Sequence, residues 1–438
     1  MATKSPLFQG VELSLVDAAE ETSTKPARTL PSSRTAIAPR VLTPLGARLP
    51  GVDGLRAIAE GFILIYHCWI YSSPTGEPLG LGPFGRFLLP HLPVGVSLFF
   101  ALSGFLLYRS LAMAILQRKP LPSISRYLRN RALRIFPAYW TILVATGVIL
   151  PAVMVRNSTT LELGRLSGQF DDLLKNMFLM QNYFRDSWDT GIGPVWSLAI
   201  ELHFYLALPL LGLLAVRMGG RFLGSKGRAL VALFPAIAIG FVGVFGSLAE
   251  AWTADWSNDY WHSVLVRGIF YHADLFAFGI GLAVLWAATT LGLVRLPGWW
   301  RPAAVTGLVS ATLLAVGLTD RGILDRYQGA FQYEALLSLS CVLLIALVVL
   351  PNEDRDARPL LIRLLELRPV VAIGLVSYSL FLWHEPVIRS LQQRGLTLGG
   401  PQGFVINLIF AALVSGLLAA LTYRFVEAPF IRHKSPSK

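Results

Sequence analysis

Charged residues are scarce in this chain of 438 residues, making up 15% of it, against roughly 25% in an average soluble domain. Hydrophobic residues reach 54%, and the mean hydropathy is +0.56. The scarcity of charge excludes an ordinary soluble globule, and the abundance of apolar residues excludes a disordered chain. Both features are typical of a membrane protein.

Acidic residues are fewer than basic ones, 26 against 38, which gives a net charge of +12. Such an excess can serve nucleic-acid binding, but in membrane proteins Lys and Arg collect in cytoplasmic loops. With the N-terminus placed inside, the segments that face the cytoplasm carry most of the Lys and Arg. We therefore expect both termini in the cytoplasm and no nucleic-acid partner.

The chain has only two cysteines, Cys68 and Cys341, and both lie in apolar runs, which excludes a disulfide framework and a zinc site. We predict no metal. Residues 1–54 contain no apolar run of the signal-peptide type, and their acidic residues argue against a transit peptide. We predict a disordered cytoplasmic tail over residues 1–49 and a short cytoplasmic tail over residues 433–438.

What the chain does contain is a series of apolar stretches, each about long enough to cross a bilayer as a helix. We predict an all-α, polytopic integral membrane protein with about ten transmembrane helices, and no β pattern competes with this class. The predicted spans are 55–72, 93–113, 134–155, 194–216, 229–249, 265–289, 300–318, 331–350, 370–391 and 404–426. An apolar-periodic piece in the longest connection, 168–184, predicts a short helix on the membrane surface.

Three ionisable residues interrupt the first span: Arg56, Glu60 and His67. Arg56 and His67 are eleven residues apart, so both lie on one helix face, separated by about 16 Å along the axis. Glu60 lies four residues after Arg56 and can pair with it. An ionisable group inside a membrane is a functional hypothesis by default, whereas a core histidine bonded to a neighbouring helix is the alternative for His67.

Further polar residues lie near the second and third spans. Ser103 can hydrogen-bond across helices, although pure packing explains its segment equally well. Arg131 and Arg134 are three residues apart and share a helix face. Paired guanidinium groups suit phosphate because they form bidentate bonds. The alternative is that these arginines serve topology or lipid headgroups.

The fourth span carries Ser197, Glu201 and Tyr205 at spacings of four, which form one stripe. A carboxylate in such an apolar run requires a cation beside it or becomes protonated, and a structural Glu–Arg pair is the alternative. Asp274 in the sixth span and His384 in the ninth are further polar residues in apolar surroundings.

Six motifs follow one another along the chain. They are Arg56-x10-His67, SGF from Ser103, RxxRIxPxYW from Arg131 to Trp140, WSLxxExxFYLxxP from Trp196 to Pro209, SYxxxLxH from Ser377 to His384, and ExP from Glu427 to Pro429. In this order and with these span placements, they resemble the membrane acyltransferase 3 family over about residues 50–432. Each motif alone is weak, whereas the ordered set is highly specific.

The resemblance implies an integral-membrane acyltransferase that moves an acyl group, commonly acetyl, from cytoplasmic acyl-CoA to a hydroxyl, or sometimes an amine. The acceptor would be a glycan, a lipid or a small molecule. Acyl-CoA is then a co-substrate, and no cofactor is bound permanently. The expected location is the plasma membrane of a bacterium. A transporter or flippase, which would use the same residue types as proton-relay groups, is the alternative.

The resemblance also implies roles for individual residues. Arg131 and Arg134 would hold the CoA phosphates, and Arg56 would guide the donor entrance. His67 would act as general base or carry the acyl group, and Glu201 would orient its imidazole. The residues expected to support the site or the substrate are Ser103, Trp196, Ser197, Tyr205, Asp274 and His384.

The chain departs from the family pattern at two places. Where the family often has Arg-x-Asp in the sixth span, this chain has His272 before Asp274, which weakens a basic partner at neutral pH. Glu60 is an acid that the family pattern does not lead us to expect. We see no esterase-like domain after Phe430, so we expect the chain to act alone or with a separate partner.

Overall fold

The computed structural model describes residues 48–71, 80–157, 160–219, 224–253, 264–320, 331–351 and 359–433. Over these ranges the chain is mostly helical, with one pair of short strands. The predicted all-α class is confirmed. Residues 1–47 of the predicted N-terminal tail, and residues 434–438, lie outside the described ranges.

Each of the ten predicted spans overlaps one long helix. The helices are α1 Val52–Tyr71, α2 Gly82–Leu88, α3 Val94–Gln117, α4 Ile124–Val144, α5 Phe170–Met177, α6 Val195–Gly219, α7 Ser225–Thr253, α8 Ile269–Thr290, α9 Trp300–Asp320, α10 Phe331–Val349, α11 Leu360–Leu365, α12 Arg368–Gln393, α13 Gly400–Thr422 and α14 Ala428–Arg432. The strands are β1 Val153–Asn157 and β2 Thr160–Gly164.

In the described part of the chain, eight helices are long and apolar enough to cross a membrane. The predicted spans in α1 and α10 are not among them. In α10 the apolar helix Tyr333–Val349 is shorter than the eight, and α1 carries Asp53, Arg56 and Glu60 within its first three turns. α1 is shielded by protein instead, since Leu55, Glu60 and Ile63 are at most 1% exposed.

The outer faces of the bundle are apolar. Phe245 of α7 and Leu313 of α9 are each 67% exposed, and Leu413 of α13 is 68% exposed. Large exposed apolar side chains on long helices are suited to contact with lipid tails rather than with water. The chain is therefore an all-α membrane protein.

Two glycines let neighbouring helices approach to backbone contact. A Cβ on Gly374 of α12 would lie 1.9 Å from the carbonyl oxygen of Asp53 in α1. A Cβ on Gly104 of α3 would lie 2.4 Å from the carbonyl oxygen of Phe276 in α8. Small residues permit such close packing of membrane helices. The first contact fixes the position of α1 beside α12, and so the position of His67 beside His384.

The connection between α4 and α6 folds into a small ordered cap. β1 pairs antiparallel with β2, and Met154 exchanges two backbone hydrogen bonds with Gly191. Each strand has only five residues, so the sequence carries little periodic signal for them and the all-α class is unchanged. The continuous helix expected over 168–184 is shorter in the structure: α5 is followed by a 3₁₀ turn at Gln181–Tyr183.

The third predicted span, 134–155, is shifted relative to the structure. α4 begins at Ile124, so Arg131 lies inside the helix rather than before it. A π-helical turn at Ala145–Ile149 follows, and residues 153–155 belong to β1. The first turns of α4 are rich in arginine. Their mean hydropathy is therefore low, and a search for apolar stretches does not include them in the span.

Candidate active site

A cavity of about 430 Å³ lies in the bundle at the end where α1 begins. Two carboxylates line it, Asp53 and Glu201. We call it the arginine cavity, because five arginines lie on its wall: Arg48, Arg56, Arg109, Arg131 and Arg134. The surplus of guanidinium groups over carboxylates gives the cavity a positive potential, which attracts anions.

The arginine cavity reaches deep into the bundle. On α3 its wall extends from Arg109 to Val96, about 20 Å along the helix axis. A hydrocarbon core is about 30 Å thick. The inner part is lined by aromatic rings, Phe99, Phe100 and Phe381. The cavity therefore combines a cationic entrance with an apolar interior.

Seven residues that the sequence predicted as site residues lie on this wall. The stripe of α6 faces the cavity as a unit, because positions four residues apart share a helix face. The seven residues are Arg56, Ser103, Arg131, Arg134, Ser197, Glu201 and Tyr205.

The polar groups of the wall are partly satisfied by one another. The Ser103 hydroxyl donates a hydrogen bond to Glu201. The Arg131 guanidinium lies 5.8 Å from the ring centroid of Tyr205, a cation–π distance. The Nε of Arg131 is buried and has no hydrogen-bond acceptor among the described residues. Since a buried donor is normally satisfied, this N–H is available to a bound anion.

Arg48 closes the entrance from the segment before α1. Its guanidinium bonds Asp53 at 2.7 Å and Glu366 at 3.2 Å. The hydrogen bond with Asp53 raises the pKa of Arg48, so it stays charged across the physiological range. The Arg48 side chain is thus tied both to α1 and to Glu366.

A histidine pair lies beyond the inner end of the arginine cavity. Nδ1 of His67 and Nε2 of His384 are 2.8 Å apart, and His384 is fully buried. The His67 ring stacks on Tyr71 at 5.6 Å. On the cavity side, the Phe381 ring lies 5.8 Å from the His384 ring and 6.2 Å from the Phe99 ring. The two phenylalanines therefore separate the pair from the cavity.

The expected partnership between Glu201 and His67 is not what the structure shows. Glu201 is held by Ser103 on the cavity wall, whereas the group that bonds the His67 imidazole is His384. Sequence reasoning could not choose between these partners, because helical periodicity gives the face of a residue but not the neighbouring helix.

The neighbour of Glu60 also differs from the expected one, which was Arg56. Within the described residues no ion pair of 4 Å or less joins it to Arg56. Its Oε1 lies 3.7 Å from Nδ1 of His384. Arg56 lines the arginine cavity, and its charge acts on Glu60 from there without an ion pair of 4 Å or less in the described ranges.

Two predicted residues lie away from both sites. The Trp196 ring packs against the His272 ring at 5.2 Å, and His272 bonds the carbonyl of Val266 at 2.9 Å. Asp274 is buried where α8 meets Gly243 of α7. Neither Trp196 nor Asp274 lines the arginine cavity.

Sequence reasoning missed two of the five cavity arginines. Arg109 follows Tyr108 in the apolar sequence of α3, and its charge there was a signal that could have been used. Arg48 stood in a segment rich in Ser, Pro and Thr, so no local signal singled it out. In the ranges that the structure describes, no group of three or more His, Cys, Asp or Glu side chains is placed to hold a metal ion.

Comparison with protein families matches an acyltransferase domain over residues 49–424. Among curated proteins, the chain is similar to the O-acetyltransferase OatA of Staphylococcus aureus, with 26% identity over 411 residues that cover 88% of this chain and 57% of that protein. It is 27% identical over 398 residues to the putative peptidoglycan O-acetyltransferase YrhL of Bacillus subtilis, covering 87% and 54% of the two chains.

A third relative is the peptidoglycan O-acetyltransferase OatA of Listeria monocytogenes, 24% identical over 390 residues, with 87% of this chain and 55% of that protein covered. The chain thus spans about half the length of the curated relatives it matches. No solved structure matches the chain.

Proposed function

Because the chain belongs to the acyltransferase domain family, we propose that it is a membrane enzyme that transfers an acyl group from acyl-CoA to a hydroxyl group. The observation that carries the proposal is the arginine cavity, whose entrance is cationic and whose interior is apolar. A transporter or flippase, the alternative suggested by the residue types alone, gains nothing from the family match.

Acyl-CoA fits the chemistry of this cavity. Its phosphates match the guanidinium groups of Arg131 and Arg134, which can form forked, charge-assisted bonds. The Nε–H of Arg131 lacks an acceptor among the described residues and supplies one such donor. The slender thioester arm of the donor then lies along the apolar interior, toward Phe99 and Phe381.

His67 is the general base of the proposed reaction. The acceptor oxygen forms a bond to the thioester carbon, the carbon–sulfur bond breaks, and the hydroxyl proton passes to His67. CoA leaves as the thiolate and takes up a proton. Phe99 and Phe381 separate the cavity from the histidines, so their rings must move aside for transfer. Until then they keep acceptor and water from the thioester.

The acyl group and the acceptor are proposed from the relatives. Those named above are O-acetyltransferases, and two carry peptidoglycan in their names. We assign acetyl as the acyl group and a glycan hydroxyl as the acceptor. The chain spans about half the length of these relatives. The identity of the acceptor therefore has to be measured on this chain itself.

The test is acetyl transfer by the purified protein in lipid vesicles. We expect release of CoA from acetyl-CoA to increase several-fold when soluble peptidoglycan fragments are added, with ester-linked acetate on the fragments. Free thiol and product mass are measured together. CoA release that no glycan stimulates, with no acetyl ester in any fragment, would contradict the assignment of a glycan acceptor.

A second test concerns orientation. We propose that the arginine cavity faces the cytoplasm, because Lys and Arg are retained on that side and acyl-CoA is cytoplasmic. Ser123, exposed between α3 and α4, then lies inside, and Asp186, exposed before α6, lies outside. In intact cells a membrane-impermeant thiol reagent should label Asp186→Cys and spare Ser123→Cys. The native cysteines, both buried, give a low background. Reversed labelling would put the cavity on the wrong side for acyl-CoA.

A further inference from the structure

Glu60 is a carboxylate that has no role in the proposed reaction. It is 0% exposed, and neither of its carboxylate oxygens has a hydrogen-bond partner in the described part of the chain. A buried carboxylate without partners is costly. Its position is specific nonetheless, because Oε1 lies 3.7 Å from Nδ1 of His384, and His384 bonds the proposed base.

The surroundings of His384 determine which of its ring nitrogens carries the proton. Nδ1 faces the carbonyl oxygen of Leu380 at 3.2 Å and the carboxylate of Glu60 at 3.7 Å. The carbonyl oxygen of Leu380 can only accept a hydrogen bond, so the hydrogen lies on Nδ1. In a neutral imidazole the other nitrogen is then an acceptor. Nε2 of His384 therefore accepts a hydrogen bond.

The donor of that hydrogen bond is His67. Its Nδ1 lies 2.8 Å from Nε2 of His384, so Nδ1 of His67 carries the hydrogen. Nε2 of His67 is then the nitrogen with the lone pair. Among the described residues nothing hydrogen-bonds that atom. This is the state that a general base requires, and the opposite tautomer would place a hydrogen where the acceptor proton has to go.

We propose that Glu60 is a positioning residue that acts through His384: it fixes the tautomer of the histidine pair and stabilises the positive charge that develops on His67. This inference rests on the proposed role of His67 as base. When the acceptor O–H bond breaks, its proton binds Nε2 of His67. The Nδ1–H of His67 then donates to His384 more strongly, and the Nδ1–H of His384 faces Glu60, whose ionised form is favoured by the positive charge on the histidine pair.

A purely structural role for Glu60 has less support. Arg56, one helical turn away, acts on Glu60 through its charge, but no ion pair of 4 Å or less joins the two in the described ranges. The Arg56 side chain lines the arginine cavity instead. A carboxylate kept only for stability would also be costly in this setting, because its oxygens form no hydrogen bond with described residues.

The test is Glu60→Gln in the full-length protein in lipid vesicles, with acetyl-CoA and peptidoglycan fragments. Glutamine keeps the shape of the side chain and removes its charge. We expect kcat to fall about tenfold to a hundredfold, in line with the contribution of groups that orient a base. The KM for acetyl-CoA should stay unchanged, because the arginine cavity is a separate site. Glu60→Asp, which restores the charge, should recover part of kcat.

The matched control is Glu334→Gln, which removes another acid of the bundle, on α10 beside Tyr333. It should keep the parent kcat and KM. A Glu60→Gln protein with the parent kcat, beside an inactive His67→Ala protein, would overturn the role of Glu60 and leave the proposed function standing. An active His67→Ala protein would remove the role of His67 as base, and this inference with it, whereas a parent protein without acetyl transfer would remove the proposed function. A raised KM with unchanged kcat in Glu60→Gln would assign Glu60 to the arginine cavity and overturn its role at the histidines.

A measurement on the unaltered protein keeps the inference testable even where a Glu60 variant fails to insert. Nitrogen NMR of protein labelled with ¹⁵N-histidine distinguishes protonated from unprotonated ring nitrogens. We expect Nδ1–H and an unprotonated Nε2 for both His67 and His384, assigned by comparison with single His→Gln variants. A hydrogen on Nε2 of His67 would overturn the inference.

Discussion

Replacing His67 by alanine should lower the rate of acetyl transfer by about 10²- to 10⁴-fold, which is the usual contribution of a general base. The loss should appear in kcat, because the side chain lies beyond the phenylalanines that end the arginine cavity. Binding of acetyl-CoA should remain at the parent level. The measurements are CoA release and acetyl-ester formation at matched amounts of membrane-inserted protein, together with the Kd for acetyl-CoA.

His67→Gln separates base catalysis from a structural role. Glutamine retains a hydrogen-bonding group of similar reach, but it cannot take up a proton near neutral pH. It should be almost as inactive as alanine, and substantial transfer by His67→Gln would make His67 a structural residue. His203→Ala is the matched control, since His203 is a histidine of α6 that bonds the Ala199 carbonyl and should keep activity.

His384→Ala tests the histidine pair as a unit. Because His384 is hydrogen-bonded to His67, its removal should lower kcat, but by less than the roughly 10²- to 10⁴-fold loss expected for the base itself. Loss of both histidines should be no worse than loss of His67 alone, as for residues that act together. A dead His384→Ala protein beside an active His67→Ala protein would identify His384 as the base.

The sequence predicted which residues of this site share a helix face. Ser197, Glu201 and Tyr205 share a face by their spacing, and all three line the arginine cavity. The same argument placed Arg56 and His67 at different depths of one helix. In the structure Arg56 lines the cavity, whereas His67 lies beyond its inner end. Such relations depend only on the rise and turn of a helix.

The same argument could not predict which helices are neighbours in the bundle. Many helices of the bundle are apolar over much of their surface, so hydropathy does not tell which pairs are neighbours. The contact of Gly374 with the backbone of Asp53 places α12 along α1, and this pairing brings His384, rather than Glu201, to His67. The same pairing of helices places Glu60, which was expected to pair with Arg56, beside His384.

The second large effect is expected on the KM for acetyl-CoA, when arginines of the arginine cavity are replaced. Arg131→Ala and Arg134→Ala should each raise the KM for acetyl-CoA by about tenfold to a hundredfold, because a charge-assisted hydrogen bond is worth roughly 1.5–3 kcal/mol. The kcat should change little, since neither side chain reaches the histidine pair. Lysine at either position should recover only part of the loss, because an ammonium cannot form the forked contact of a guanidinium. Steady-state kinetics with varied acetyl-CoA give both constants.

The same helix supplies the control for this prediction. Arg129 belongs to the same basic cluster of α4 but is exposed and does not line the arginine cavity, so Arg129→Ala should keep the parent KM. Acetyl-pantetheine, which has the thioester arm without the phosphates, isolates the phosphate contacts. Its kcat/KM should be low in the parent protein and unchanged in Arg131→Ala and Arg134→Ala. If Arg129→Ala raises the KM as much as these two, the arginines act through the general surface charge and the cavity does not hold the phosphates.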